Sequence, residues 1–106
     1  MAAAGVRATI AANFDGDPAL YRAFSAACAV QFARDAVAGR AGCDAGDLPA
    51  VRRLAHNLKS ALLMLGHDEL SAMAANIETL AAAGDLVRTR TSWHLLDAAL
   101  RPLRTP

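Results

Sequence analysis

His56, Lys59 and Ser60 stand close together in the run LAHNLKSALLMLG, with the lysine three residues and the serine four residues beyond the histidine. On a helix that spacing brings an imidazole, an ammonium and a small hydroxyl within one turn of one another. An exposed imidazole has a reference pKa of about 6.5, so near neutral pH it presents an unprotonated nitrogen nucleophile. That suits covalent phosphoryl capture. Lys59 can place a mobile cation beside phosphate oxygens, and Ser60 is small enough to leave the nitrogen open to an approaching surface.

Such roles require a helix that turns these side chains to water. Residues 48–65 read as that helix, with Asp47 as its cap and Pro49 in its first turn, where a missing N–H is harmless. At about 100° per residue, Leu48, Val51, Leu54, Ala55, Leu58, Leu62 and Leu65 share one sector, the core face of a bundle helix. Measured from Val51, Lys59 lies near ~80°, Arg52 near ~100°, Leu63 near ~120°, His56 near ~140° and Ser60 near ~180°. These five form one outward patch. Leu63, aligned with His56 two turns away, reads as part of a docking surface. Spacing alone leaves a plainer reading open, in which His56 is one more polar residue on a wet helix face.

The remaining elements follow from apolar periodicity. Val6, Ile10 and Phe14 mark a short N-terminal helix of one or two turns, laid as a cover over a larger bundle. Asp17 and Pro18 open a helix expected to run to about Ala38 and to end at Gly39, on a stripe of Leu20 or Tyr21, Phe24, Cys28 and Phe32 or Gln31. Val30 and Val37 fall off that stripe, which implies cover on two sides. The stretch GRAGCDAGD, residues 39–47, is poor in apolar side chains and reads as a loop. Gly66 stops the His56 helix. His67, Asp68 and Glu69 then open a run on Leu70, Met73, Ala74, Ile77, Leu80 and Ala81, which ends at Gly84 and Asp85. The tight connection makes these two helices an antiparallel hairpin. A last pattern, Trp93, Leu96, Leu100 and Leu103, is opened by Thr91 or Ser92 and broken by Pro102. The expected fold is all-α, an antiparallel four-helix bundle with a short N-terminal helix, in one domain spanning residues 1–106 with its core at about 12–100.

Composition agrees and narrows the function. Of the 106 residues 55% are hydrophobic and only 5% aromatic, with alanine, the best helix former, foremost. Eleven Lys and Arg against ten Asp and Glu leave a formal charge of +1, so no broad field draws the chain to nucleic acid or an anionic membrane. Arg88, Arg90, Arg101 and Arg104 gather toward the C-terminus without aromatic stacking partners, which argues against a nucleic-acid surface. Cys28 and Cys43 have no zinc-like neighbours and read as buried or free thiols in a reducing compartment. A metal site from Cys43, His56 and His67 would lack compact ligand spacing, so no metal or cofactor is expected on this chain. His94 reads as a surface or packing residue, and Asp15, Asp17, Asp68 and Glu69 as caps and first-turn acids. No stretch has the length of a signal core or of a membrane span, which points to a soluble cytosolic protein.

The stretch LAHNLKSALLMLGHDELSAMAANIETLAAAGD at 54–85 resembles the histidine phosphotransfer (HPt) domain family, intermediate carriers of bacterial multistep phosphorelays. His56 matches the phosphorylated histidine, Leu58 the core leucine, Lys59 the lysine and Gly66 the helix-ending glycine. Ser60 replaces a commoner glycine, and Ile77-Glu78 stands where Leu-Glu is usual. Phe14-Asp15 and Leu20-Tyr21-x-x-Phe24 also look like the family's first helices, so the resemblance spans roughly 12–100. It implies a phosphocarrier without catalytic turnover of its own, with His56 as phosphoacceptor and Lys59 and Ser60 beside the phosphate. Arg52, Leu63 and His67 would form the docking patch for receiver domains of response regulators. A hybrid histidine kinase would be a further partner, and the receiver would carry the divalent metal. The competing expectation is a helical adaptor that binds and titrates a receiver or kinase without being phosphorylated.

Overall fold

The computed structural model describes residues 2–105, with side chains from Gly5 to Thr105; the ends of the expected domain span, residues 1 and 106, lie outside the described residues. Among these, five α-helices follow in order: α1 (Ala2–Asn13), α2 (Pro18–Ala45), α3 (Leu48–Met64), α4 (Asp68–Ala82) and α5 (Leu86–Leu100), closed by a 3-10 turn at Arg101–Leu103. The architecture is the all-α bundle expected. Helix α2 packs on α3, α3 on α4, α4 on α5 and α5 back on α2, so four helices close a ring around one core. Short connections between successive members keep neighbours antiparallel.

The starts of α2, α3 and α5 are each set by an aspartate. Asp17 accepts hydrogen bonds from the Ala19 and Leu20 amides, Asp47 from Ala50 and Asp85 from Arg88, which satisfies N–H groups that the first helical turn leaves unpaired. Asp85 therefore replaces Thr91 or Ser92 as the opening of the last helix, which begins a turn and a half earlier than its large apolar residues suggest. Its first buried contact is Thr89, too polar to stand out in the apolar pattern.

The larger correction concerns residues 39–47. Helix α2 continues through Gly39 to Ala45 and stops only at Gly46, whose φ of 68° is left-handed. Gly39 and Gly42 are buried in the same register as Cys28, Phe32 and Asp35. A Cβ on Gly39 would lie 1.8 Å from Cζ2 of Trp93, and one on Gly42 would lie 3.0 Å from a methyl of Val51. These glycines are seats for α5 and α3, not helix ends. Close packing of the indole outweighs the low helix propensity of glycine. The α2 stripe resolves to Tyr21, Phe24, Cys28 and Phe32, whereas Leu20 and Gln31 are exposed. Val30 and Val37 are exposed as well, so the expected second covered face of α2 is open to solvent.

Trp93, Phe32, Leu58, Leu62, Ile77, Leu96, Leu100 and Val51 are the large fully buried residues, each side chain contributing roughly 1.5–3 kcal/mol by leaving water. Helix α1 runs three turns rather than one or two. It is tied down by Phe14, 5% exposed, whose ring meets Tyr21 edge-on at 5.5 Å and Phe24 at 5.7 Å. Asn13 donates to the Met64 carbonyl at 2.9 Å, so α1 covers the end of α3.

Candidate functional site

Along α3 the core face is Val51, Ala55, Leu58 and Leu62, all buried. This anchoring decides what the opposite face presents. His56, Ser60, Leu63 and Arg52 are exposed and Lys59 is half-buried at the edge nearest α4. The outward patch expected from helical spacing is therefore assembled on the surface, with 59% of the His56 side chain accessible.

Across from it α4 contributes a carboxylate that spacing within α3 could not reveal. Glu78 holds Nδ1 of His56 through Oε2 at 2.8 Å and accepts from Nζ of Lys59 through Oε1 at 2.7 Å. The hydrogen bonds from Lys59 and His56 draw the Glu78 carboxyl below its ordinary range, so it is anionic near neutral pH. A carboxylate can only accept. The hydrogen between the two groups therefore sits on Nδ1, and in the neutral ring Nε2 carries the lone pair. Among the described residues Nε2 has no hydrogen-bond partner in the protein.

Glu78 could have been found from the hairpin. Residue 56 lies ten before Gly66, so its antiparallel neighbour falls ten to twelve beyond it, and the core position of Ile77 turns Glu78 toward α3. Ser71 fixes the same interface one turn away, donating to the Lys59 carbonyl at 2.8 Å. Gly66 sets the hairpin turn with φ of 83°, and a Cβ there would lie 2.2 Å from Oγ1 of Thr9 on α1. Both the left-handed backbone and the approach of α1 exclude a larger residue.

The surface around His56 has two unlike sides. Toward the start of α3 lies an open depression of about 450 Å³ lined by Pro49, Arg52, Arg53, His56, Asn57 and Glu78. Toward the end of α3, Ser60, Leu63, Met64 and Asn13 line a smaller hollow of about 280 Å³. Leu63 and Met64 are exposed at 56% and 42%, which makes this side apolar. His67 lines a different hollow with Val6, Thr9 and Tyr21; its backbone precedes α4 and its side chain makes no capping bond. Cys28 and Cys43 are both buried free thiols whose acidity burial weakens.

A family model described as Hpt domain matches residues 19–105. The chain belongs to the Hpt domain family. The match takes in all of α3, α4 and α5 and nearly all of α2, so the whole four-helix ring of this Hpt domain lies within it. Hpt domains serve histidine phosphotransfer in two-component signalling, as phosphocarrier modules rather than enzymes, and interact with response-regulator receiver domains and kinases. No curated protein and no solved structure matches the chain. Among the described residues of this Hpt domain no helix is long and apolar enough to cross a membrane.

Proposed function

We propose that this Hpt domain is a phosphorelay intermediate that accepts a phosphoryl group on Nε2 of His56 from a receiver-domain aspartate and passes it to another receiver. The observation that carries this reading is the Glu78 contact. It commits Nδ1 and leaves Nε2 as the nucleophile on an exposed ring, within a chain of the Hpt family. The Nε2 lone pair attacks phosphorus in line, the N–P bond forms, and the P–O bond to the aspartyl carboxyl breaks with its electrons returning to the carboxylate. No proton has to move. The ring becomes cationic while Nδ1–H stays on Glu78, whose negative charge offsets the gain. The second transfer runs the same steps in reverse, and the receiver supplies the divalent metal and most of the charge stabilisation.

Glu78 acts here as a positioning residue, fixing tautomer and ring orientation. Ser60 keeps the approach to His56 open, Leu63 offers an apolar contact two turns beyond His56, and Gly66 sets the hairpin that brings Glu78 opposite His56. Arg52 lies on the docking side of the ring, and His67 contributes at the rim beside α1. Incubation with phosphorylated receivers should give an acid-labile label on the wild type and none on His56→Gln. Acid-stable label, or label that survives this substitution, contradicts the chemistry. Receiver binding without transfer would instead favour an adaptor.

A further inference from the structure

The cation that meets the phosphoryl group need not be Lys59. Its ammonium lies 2.7 Å from Glu78 Oε1, so its charge is committed to the carboxylate that also holds Nδ1 of His56. Arg52 and Arg53 are placed differently. Both are exposed, both line the depression onto which His56 opens, and among the described residues neither takes part in an ion pair.

Helical geometry puts the two arginines four and three residues before His56, one turn away, with Cβ atoms roughly 5–6 Å from its own. They project about 100° apart around α3, one on each side of the histidine's direction. Between them, two turns before His56, stands Pro49, whose compact ring leaves a trough. Guanidinium groups on long side chains flanking a trough match the several oxygens of a phosphoryl group.

We propose that Arg52 and Arg53 hold the phosphoryl oxygens of phosphorylated His56, while Lys59 remains on Glu78. Two charges are thereby separated by function: Lys59 steadies the carboxylate that orients the ring, and the arginine pair receives the dianion. The assignment rests on His56 being the phosphoacceptor.

The test uses the full chain and phosphoramidate as a small phosphodonor, with ³¹P NMR as readout. His56→Gln identifies the resonance of the His56 adduct by difference. Titration of that resonance then gives the second ionisation of the phosphoryl group, which nearby cations lower by favouring the dianion. In Arg52→Ala/Arg53→Ala it should rise by about half to one unit, less than for a buried pair because the site is exposed. Arg52→Lys/Arg53→Lys should recover part of the shift, and Lys59→Ala should move it much less. An unchanged titration in the double alanine variant overturns the assignment, as does a shift in Lys59→Ala as large as that of the arginine pair. If the wild type gives no His56 resonance, the phosphoacceptor reading itself fails, an outcome distinct from a labelled protein insensitive to the arginines.

Discussion

At the residue scale the proposed chemistry rests on three side chains from two helices, His56, Lys59 and Glu78. Because Glu78 accepts from both His56 and Lys59, its removal releases the ring and the ammonium together. Glu78→Ala should slow phosphotransfer by on the order of ten- to a hundredfold, the scale of losing the partner that orients a ligating histidine. In ¹⁵N spectra the Nδ1–H preference of His56 should weaken in parallel, a change that a purely structural role would not produce. The carboxyl of Glu78 is lowered from an ordinary value of 4.5. The link is thus fully present above that ordinary value and is lost only as pH falls through the lowered one. A ¹³C titration of Glu78 should accordingly have its midpoint below 4.5 in the wild type and return toward the ordinary range in Lys59→Ala. Ser60 tests the approach itself. It is exposed opposite Val51, so Ser60→Leu should leave the melting temperature nearly unchanged while slowing single-turnover transfer, given that ~1 Å of misplacement can cost about 10²-fold. Equal transfer rates would mean that the receiver does not come in over this position.

Helices, at the next scale, place those side chains through contacts of very different visibility in the sequence. The face of α3 was legible because Val51, Ala55, Leu58 and Leu62 repeat at helical spacing, and the outward position of His56 follows directly. The hairpin was legible from Gly66. Residues 39–45 were not, since glycines that admit Trp93 and Val51 look the same in sequence as glycines that end a helix; only the partner side chain distinguishes them. Their one visible signal is register, Cys28, Phe32, Asp35, Gly39 and Gly42 continuing a single helical stripe. Asp85 was hidden for a related reason, because it follows Gly84 and serves both as the end of one turn and the cap of the next helix. Gly39→Ala distinguishes a packing glycine from a loop glycine. A loop residue would tolerate it, whereas overpacking against Trp93 should cost about 1–3 kcal/mol beyond the ~1 kcal/mol gained in helix propensity. Gly5→Ala, with nothing within 4 Å of the added Cβ, should instead be neutral or stabilising by up to about 1 kcal/mol. Thermal melts of the two variants compare these directly.

For the molecule as a whole, the proposed transfer site leaves groups such as Asp35 to act on stability alone. Asp35 is buried on the core side of α2, accepts one bond from Gln31 at 2.9 Å, and is raised above the usual carboxylate range chiefly by loss of solvent. A carboxyl raised in the folded state contributes stability below its unfolded value, and that contribution is lost as pH rises through the folded one. Ionised Asp35 is therefore a cost near neutral pH. Asp35→Asn, which keeps an acceptor for Gln31, should raise the melting temperature at pH 7, with the gain shrinking as the pH approaches 4; a gain that persists undiminished in acid would contradict that origin. Phosphotransfer should be unchanged in this variant, since the proposed site lies on α3 and α4. The central claim is that phosphorus is carried on one nitrogen of one histidine. Its most direct test is a ³¹P–¹⁵N correlation spectrum of the ¹⁵N-histidine-labelled chain after transfer from a phosphorylated receiver. The expected result is a single coupling to Nε2 of His56, absent in His56→Gln; coupling to Nδ1 of that ring, or to His67 or His94, would contradict it.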